Sequence, residues 1–173
     1  SARTLSIDKT FFAENNINFY PFNDIPGQIV HEIIPEPENL VHCARRMEEL
    51  QSQGRTDAIL GYMPDCDGDR GNIVYWNDKT KKAEILKAQE VFSLSVLAEL
   101  AFSHWLNENN KDYKPAVAVN CPTSMRINEI ADCFNAKVFR GEVGEANVVN
   151  TARLARKQGY TVRILGEGSN GGT

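Results

Sequence analysis

Short apolar runs of strand character alternate with segments whose apolar residues recur at helical spacing, and that alternation restricts this chain to α/β architectures. The pattern predicts a short helix over 6–15, a short strand over 17–20 and a long Pro-, Gly- and acid-rich loop over 21–37. Pro37 suits the first turn of the next helix, and Glu38 favours its positive end. Leu40, Ala44, Met47 and Leu50 then follow at helical spacing, with Gly54 as the stop. Strands over 57–63, 72–76 and 83–86 come next, the last two joined by the turn residues Asn77-Asp78-Lys79-Thr80.

From residue 90 the composition becomes more apolar. A helix over 90–106, a compact Ala/Val strand over 115–119 and a helix over 125–134 are followed by a strand over 137–139, a helix over 148–157 and a strand over 161–165. The expectation is two consecutive α/β domains, 1–83 and 84–173, each a mostly parallel or mixed sheet covered by helices. The boundary falls between Lys81 and Lys87, where the hairpin ends and the long helix begins. The chain opens on a helix without a nucleating strand and stops inside a glycine-rich loop, so it reads as a piece of a longer protein.

Asp65, Asp67 and Asp69 alternate directly after a strand, in Asp65-Cys66-Asp67-Gly68-Asp69-Arg70. Three carboxylates turned toward one point repel at ~1 kcal/mol or more per pair even in water-like screening. A hard divalent cation, Mg²⁺ or Ca²⁺, removes that penalty. Gly68 frees the backbone for the turn, and Arg70 adds a fixed positive fork suited to phosphate oxygens. A merely solvated acidic turn also accounts for these residues. An EF-hand does not, because the sixth position is Arg70 rather than Gly and the twelfth is Trp76 rather than Glu.

A second loop, Gly166-Glu167-Gly168-Ser169-Asn170-Gly171-Gly172, follows the last strand. Its glycines let backbone approach a ligand, while Glu167 and Ser169 offer the acceptors and donor that sugar hydroxyls need. A flexible loop is the plain alternative, and the spacing does not match a dinucleotide-binding G-x-G-x-x-G. His31, His42 and His104 are scattered and read as packing or surface residues, and Ser124 as a helix cap rather than a nucleophile. Cys43, Cys66, Cys121 and Cys133 lack C-x-x-C spacing, which argues for free thiols in a reducing cytoplasm. A net charge of −4 without a basic cluster argues against nucleic acid and anionic membranes as partners. The first residues do not form a secretory signal, and no apolar run is long enough to cross a bilayer.

With these residues in view, the sequence resembles the α-D-phosphohexomutase superfamily. The acidic loop is similar to the family's D-G-D-G-D-R metal loop, with Cys66 in place of the first Gly. Gly166-Glu167-Gly168-Ser169 is similar to its G-E-x-S sugar loop, and Pro35-Glu36-Pro37-Glu38-Asn39-Leu40 to an upstream P-E-P-E-N-L stretch. Val143-Gly144 matches a family V-G step. The resemblance implies a chain covering most of the second and third of four domains of a phosphoglucomutase or phosphomannomutase. It also implies Mg²⁺ held by Asp65, Asp67 and Asp69, Arg70 near the phosphoryl group, and hexose hydroxyls on Glu167 and Ser169. The phosphoserine and phosphate-gripping domains would lie outside this chain, leaving the fragment alone inactive. Cys66, Ala146 and Gly171 depart from the pattern of relatives, so roles tied to those positions do not transfer.

Overall fold

The computed structural model describes residues 4–25, 27–66, 68 and 70–168, the first three of these by backbone alone. The chain divides into two compact units, Ser1–Lys87 and Ala88–Thr173. The expected division at 83/84 cuts a strand of the first unit, β3 (Lys82–Ile85), whereas the observed one falls just after it.

The first unit carries α1 (Thr4–Glu14), α2 (Pro37–Ser52), β1 (Leu60–Pro64), β2 (Gly71–Asn77) and β3. Its sheet has the order β1-β2-β3 and both pairings are antiparallel, which corrects the parallel or mixed sheet expected here. The physical reason is loop length. Six residues (65–70) join β1 to β2 and four (78–81) join β2 to β3, far short of the dozen or more that a parallel crossover needs. Asn77 Oδ1 accepts the Lys79 N–H at 2.9 Å and so builds the second turn locally.

Helix α2 lies on this sheet. Leu40 and Met47 from the helix meet Met63 and Val74 from the strands, with Cys43, Trp76, Ala83 and Ile85 packed around them. Pro37 starts the helix, and its end is a Schellman turn: Gly54 at φ +84° donates to Gln51 O, and Arg55 N donates to Leu50 O. Asn72 Nδ2 donates to Pro35 O, tying the segment before α2 to β2.

The strand expected over 17–20 does not form. Asn18 Nδ2 and Tyr20 Oη both donate to Asp57 Oδ2, at 2.6 and 2.9 Å, and Phe19 stacks on Phe12 at 4.8 Å. Side chains anchor this segment, and no ladder recruits its backbone. Those two donors hold the Asp57 carboxyl below its ordinary range.

The second unit is built from α3 (Ala88–Leu106), β4 (Pro115–Asn120), α4 (Arg126–Cys133), β5 (Lys137–Gly141), α5 (Glu145–Lys157) and β6 (Thr161–Gly166). Its strands are parallel in the order β5-β4-β6. Central β4 is buried along its whole length, and its alternation explains why. Val117 and Val119 pack with Phe92, Val96 and Leu100 of α3 and Ile127 and Ala131 of α4. Ala116 and Ala118 face the other way, against Val148, Ala152 and Ala155 of α5. Two covered faces account for a strand with no polar residue before Asn120. The order places the loops after β4, β5 and β6 together at the carboxyl ends of the strands, where open α/β sheets receive ligands.

Candidate functional site

The acidic loop is the β1–β2 hairpin connection, closed at its base by Asp65 N donating to Arg70 O at 3.0 Å. Asp65 is buried, 2% exposed. An unpartnered carboxylate there would be costly. Its Oδ1 accepts the backbone N–H of Gly68 at 2.9 Å and of Arg70 at 3.4 Å, and its Oδ2 accepts Arg70 Nε at 2.9 Å. Gly68, at φ +84°, makes the left-handed turn that aims its N–H inward. Asp65 therefore organises the loop and orients Arg70, a link that spacing alone does not show. The Arg70 side chain is 41% exposed, so the guanidinium reaches solvent while its Nε stays anchored.

Asp67 and Asp69 lie outside the described residues, and no group of three His, Cys, Asp or Glu side chains gathers among those that are described. The donor chemistry still fits a divalent cation. Three carboxylates against one guanidinium leave the loop at −2, and all the acidic donors are hard oxygens. Cys66 is exposed.

The second site sits at the carboxyl edge of the parallel sheet. Glu167 follows β6, and its Oε1 accepts two bonds, from Asn120 Nδ2 at 2.9 Å and from Gly144 N at 2.6 Å. Gly144 is the N-cap of α5 at φ +117°, so Glu167 sets its negative charge beside the positive end of that helix. Gly168 N donates to Thr123 Oγ1 at 3.1 Å, and Thr123 Oγ1 donates to Asn120 Oδ1 at 2.5 Å. A Cβ at residue 168 would stand 2.6 Å from Gln89 Oε1 and 3.1 Å from both Phe92 Cδ1 and Thr123 Cγ2, so any side chain there must push Gln89 aside. Ser169 and Gly171 lie outside the described residues, and Ala146 is exposed in the first turn of α5.

Two further residues hold the loop after β4. Arg140 on β5 donates to the carbonyls of Thr123 at 2.8 Å and Ser124 at 3.3 Å, and to Asn128 Oδ1 at 2.7 Å. Gln89 on α3 donates to Pro122 O at 3.2 Å and accepts Ser124 N at 2.9 Å. Ser124 Oγ accepts Arg126 N at 3.2 Å, a local bond at the start of α4 and not a nucleophile's environment. Asn120, Thr123, Gln89 and Arg140 were not legible as site residues. The usable signal was Asn120, a polar residue closing an otherwise apolar strand at the sheet's ligand-facing end.

This is the fold found in phosphohexomutases. The chain aligns with a phosphoglucomutase/phosphomannomutase family protein from Burkholderia thailandensis at a TM-score of 0.68 and 19% identity, over 96% of this chain and 32% of that one. It also aligns with N-acetylglucosamine-phosphate mutase, a member of the α-D-phosphohexomutase superfamily, in its apo form. There the TM-score is 0.50 and the identity 16%, over 66% of this chain and 24% of that one. The chain thus spans a third or less of the length of these solved relatives in fold. No protein-family model matches the sequence, and no curated protein sequence does. Among the described residues, no helix is long and apolar enough to cross a membrane.

Proposed function

We propose that this chain is the central portion, most of the second and third domains, of a cytoplasmic phosphohexomutase acting on glucose or mannose phosphates. On this reading the first unit, 1–87, is the metal-binding domain and the second, 88–173, the sugar-binding one. The observation that carries it is Glu167. Its carboxylate is held through one oxygen at the ligand-facing edge of a sheet whose fold is shared with phosphohexomutases, downstream of an acidic hairpin loop. A module that merely binds a cation, the alternative reading, has no use for that second polar loop.

Asp65, Asp67 and Asp69 would hold Mg²⁺, which supplies charge neutralisation at a transferring phosphoryl group when bound. Arg70, kept in place by Asp65, stabilises negative charge on the same group. Glu167 accepts from sugar hydroxyls and Ser169 exchanges hydrogen bonds with them, a pair of contacts indifferent to which end of the sugar carries phosphate. In the parent enzyme a phosphoserine gives its phosphate to one sugar hydroxyl, forming a bisphosphate. The sugar reorients, and its other phosphate returns to the serine. That serine belongs to a domain outside this chain, so the isolated 173 residues hold and orient but do not turn over.

Thermal unfolding with and without Mg²⁺, and with and without glucose 1-phosphate, tests the reading. The wild type should gain stability from each, Asp67→Ala should lose the Mg²⁺ response, and Glu167→Gln should lose only the sugar response. An intact Mg²⁺ response in Asp67→Ala refutes the metal loop. A Mg²⁺ response with no sugar response in the wild type favours the cation module, and mutase turnover by the isolated chain refutes its assignment as an inactive part.

A further inference from the structure

We propose that Asn120 is a positioning residue that sets the Glu167 carboxylate for its ligand; this rests on the reading of Glu167 as the sugar-binding residue. Asn120 is fully buried, 0% exposed, at the end of a strand whose other positions are Pro, Ala and Val. Leaving the donor or acceptor of a buried amide unpaired costs its desolvation, so most such groups are paired. Here Nδ2 faces a carboxylate and Oδ1 faces a hydroxyl donor, so the two ends of the amide are not interchangeable.

The bonds form a closed ring. Asn120 binds Glu167 Oε1 and is bound by Thr123 Oγ1, which in turn receives the N–H of Gly168, the residue next to Glu167. One side chain thereby fixes both the acid and the backbone that follows it. Gly144 N takes up a second acceptor direction on Oε1. Oε2 has no hydrogen-bond partner among the described residues, so it is the oxygen left to accept from a hydroxyl-bearing ligand. An apolar side chain in place of Asn120 would continue the strand's packing but release the carboxylate to rotate about its last torsion. Charged groups nearby in the chain are Arg140, whose guanidinium donates to Asn120 O at 3.3 Å, Glu142 in the β5–α5 connection and Glu145 at the start of α5, the two acids exposed.

The test is an NMR titration of the full chain with glucose 1-phosphate, across a pH series, for wild type, Asn120→Ala, Asn120→Asp and Glu167→Gln. Asn120→Ala and Glu167→Gln should each bind about tenfold more weakly, the scale of one hydrogen bond to a charged group. Asn120→Asp keeps the shape but sets two carboxylates against each other, and such a pair takes up a shared proton as the pH falls. That proton restores an O–H donor to Glu167 Oε1. Affinity in Asn120→Asp should therefore be weak at alkaline pH and recover on acidification, with no such recovery in wild type. Wild-type affinity in Asn120→Asp at every pH, or a loss that acid does not reverse, overturns the positioning role while an impaired Glu167→Gln leaves the reading of Glu167 standing. No binding by wild type, or undiminished binding by Glu167→Gln, overturns both.

Discussion

Gly61 on β1 lies under α2 so closely that a methyl group there has no room. A Cβ would stand 2.6 Å from Cys43 Sγ, 3.3 Å from Met47 Cε and 3.8 Å from Val74 Cβ. Carbon and sulfur normally meet no closer than about 3.5 Å, so the overlap with Cys43 is roughly 1 Å. Met47 can yield at its flexible end, whereas the Cys43 thiol yields only by turning about its single side-chain torsion. Overpacking of this kind costs about 2 kcal/mol. For a unit of this size, 87 residues, that corresponds to a fall of about 10 °C in Tm. Cys43→Ala removes the obstructing atom and by itself costs about 1 kcal/mol. In the double variant the new methyl occupies the vacated space, so its loss should be smaller than the sum of the single losses by at least about 1 kcal/mol. Urea unfolding followed through Trp76 fluorescence gives the cycle, in a Trp105→Phe background that the 67% exposure of Trp105 makes benign. Stability of Gly61→Ala within about 0.5 kcal/mol of wild type, or strict additivity in the cycle, would refute the contact on which the argument rests.

Gly168→Ala should destabilise the second unit by about 1–3 kcal/mol and displace Gln89 from Ser124, which amide exchange in that unit would reveal. Hydrogen bonds from Arg163, then from Ser103, hold the Glu99 carboxyl below its ordinary value of 4.5. The stability this adds is complete above that value and lost as pH falls through the depressed one, so Arg163→Gln should flatten the acid limb of the unfolding profile. With the thiol reagent DTNB, exposed Cys66, Cys121 and Cys133 should react quickly. Cys43 should react slowly, because burial shields its thiol and raises its pKa. Four thiols reacting at one rate in the folded chain would contradict that burial.

The two loops that carry the functional reading were legible because their chemistry is local. Carboxylates at alternate positions, a glycine between them and an arginine after them declare a charge problem wherever the chain goes, and Glu167 follows a recognisable strand. The helices were equally plain, since α2, α3, α4 and α5 owe their form to apolar spacing that is present before any packing. Strand direction was less so. Helix and strand alternate only in the second unit; the first runs two helices and then three strands, and its short connections of 65–70 and 78–81 make the pairing antiparallel. The segment 17–20 looked like a strand because its residues favour one, and Asp57, almost forty residues away in sequence, captured its side chains instead.

What the sequence determined by itself is the pair of α/β units and the positions of the acidic and glycine-rich loops, because periodicity and turn chemistry act over a few residues. Tertiary structure alone decided that Asp65 turns inward to hold Arg70. It also decided that Glu167 is gripped by Asn120 and Gly144, which lie 47 and 23 residues away. Such bonds depend on which strand ends meet at one edge of a sheet, and no local pattern records that meeting.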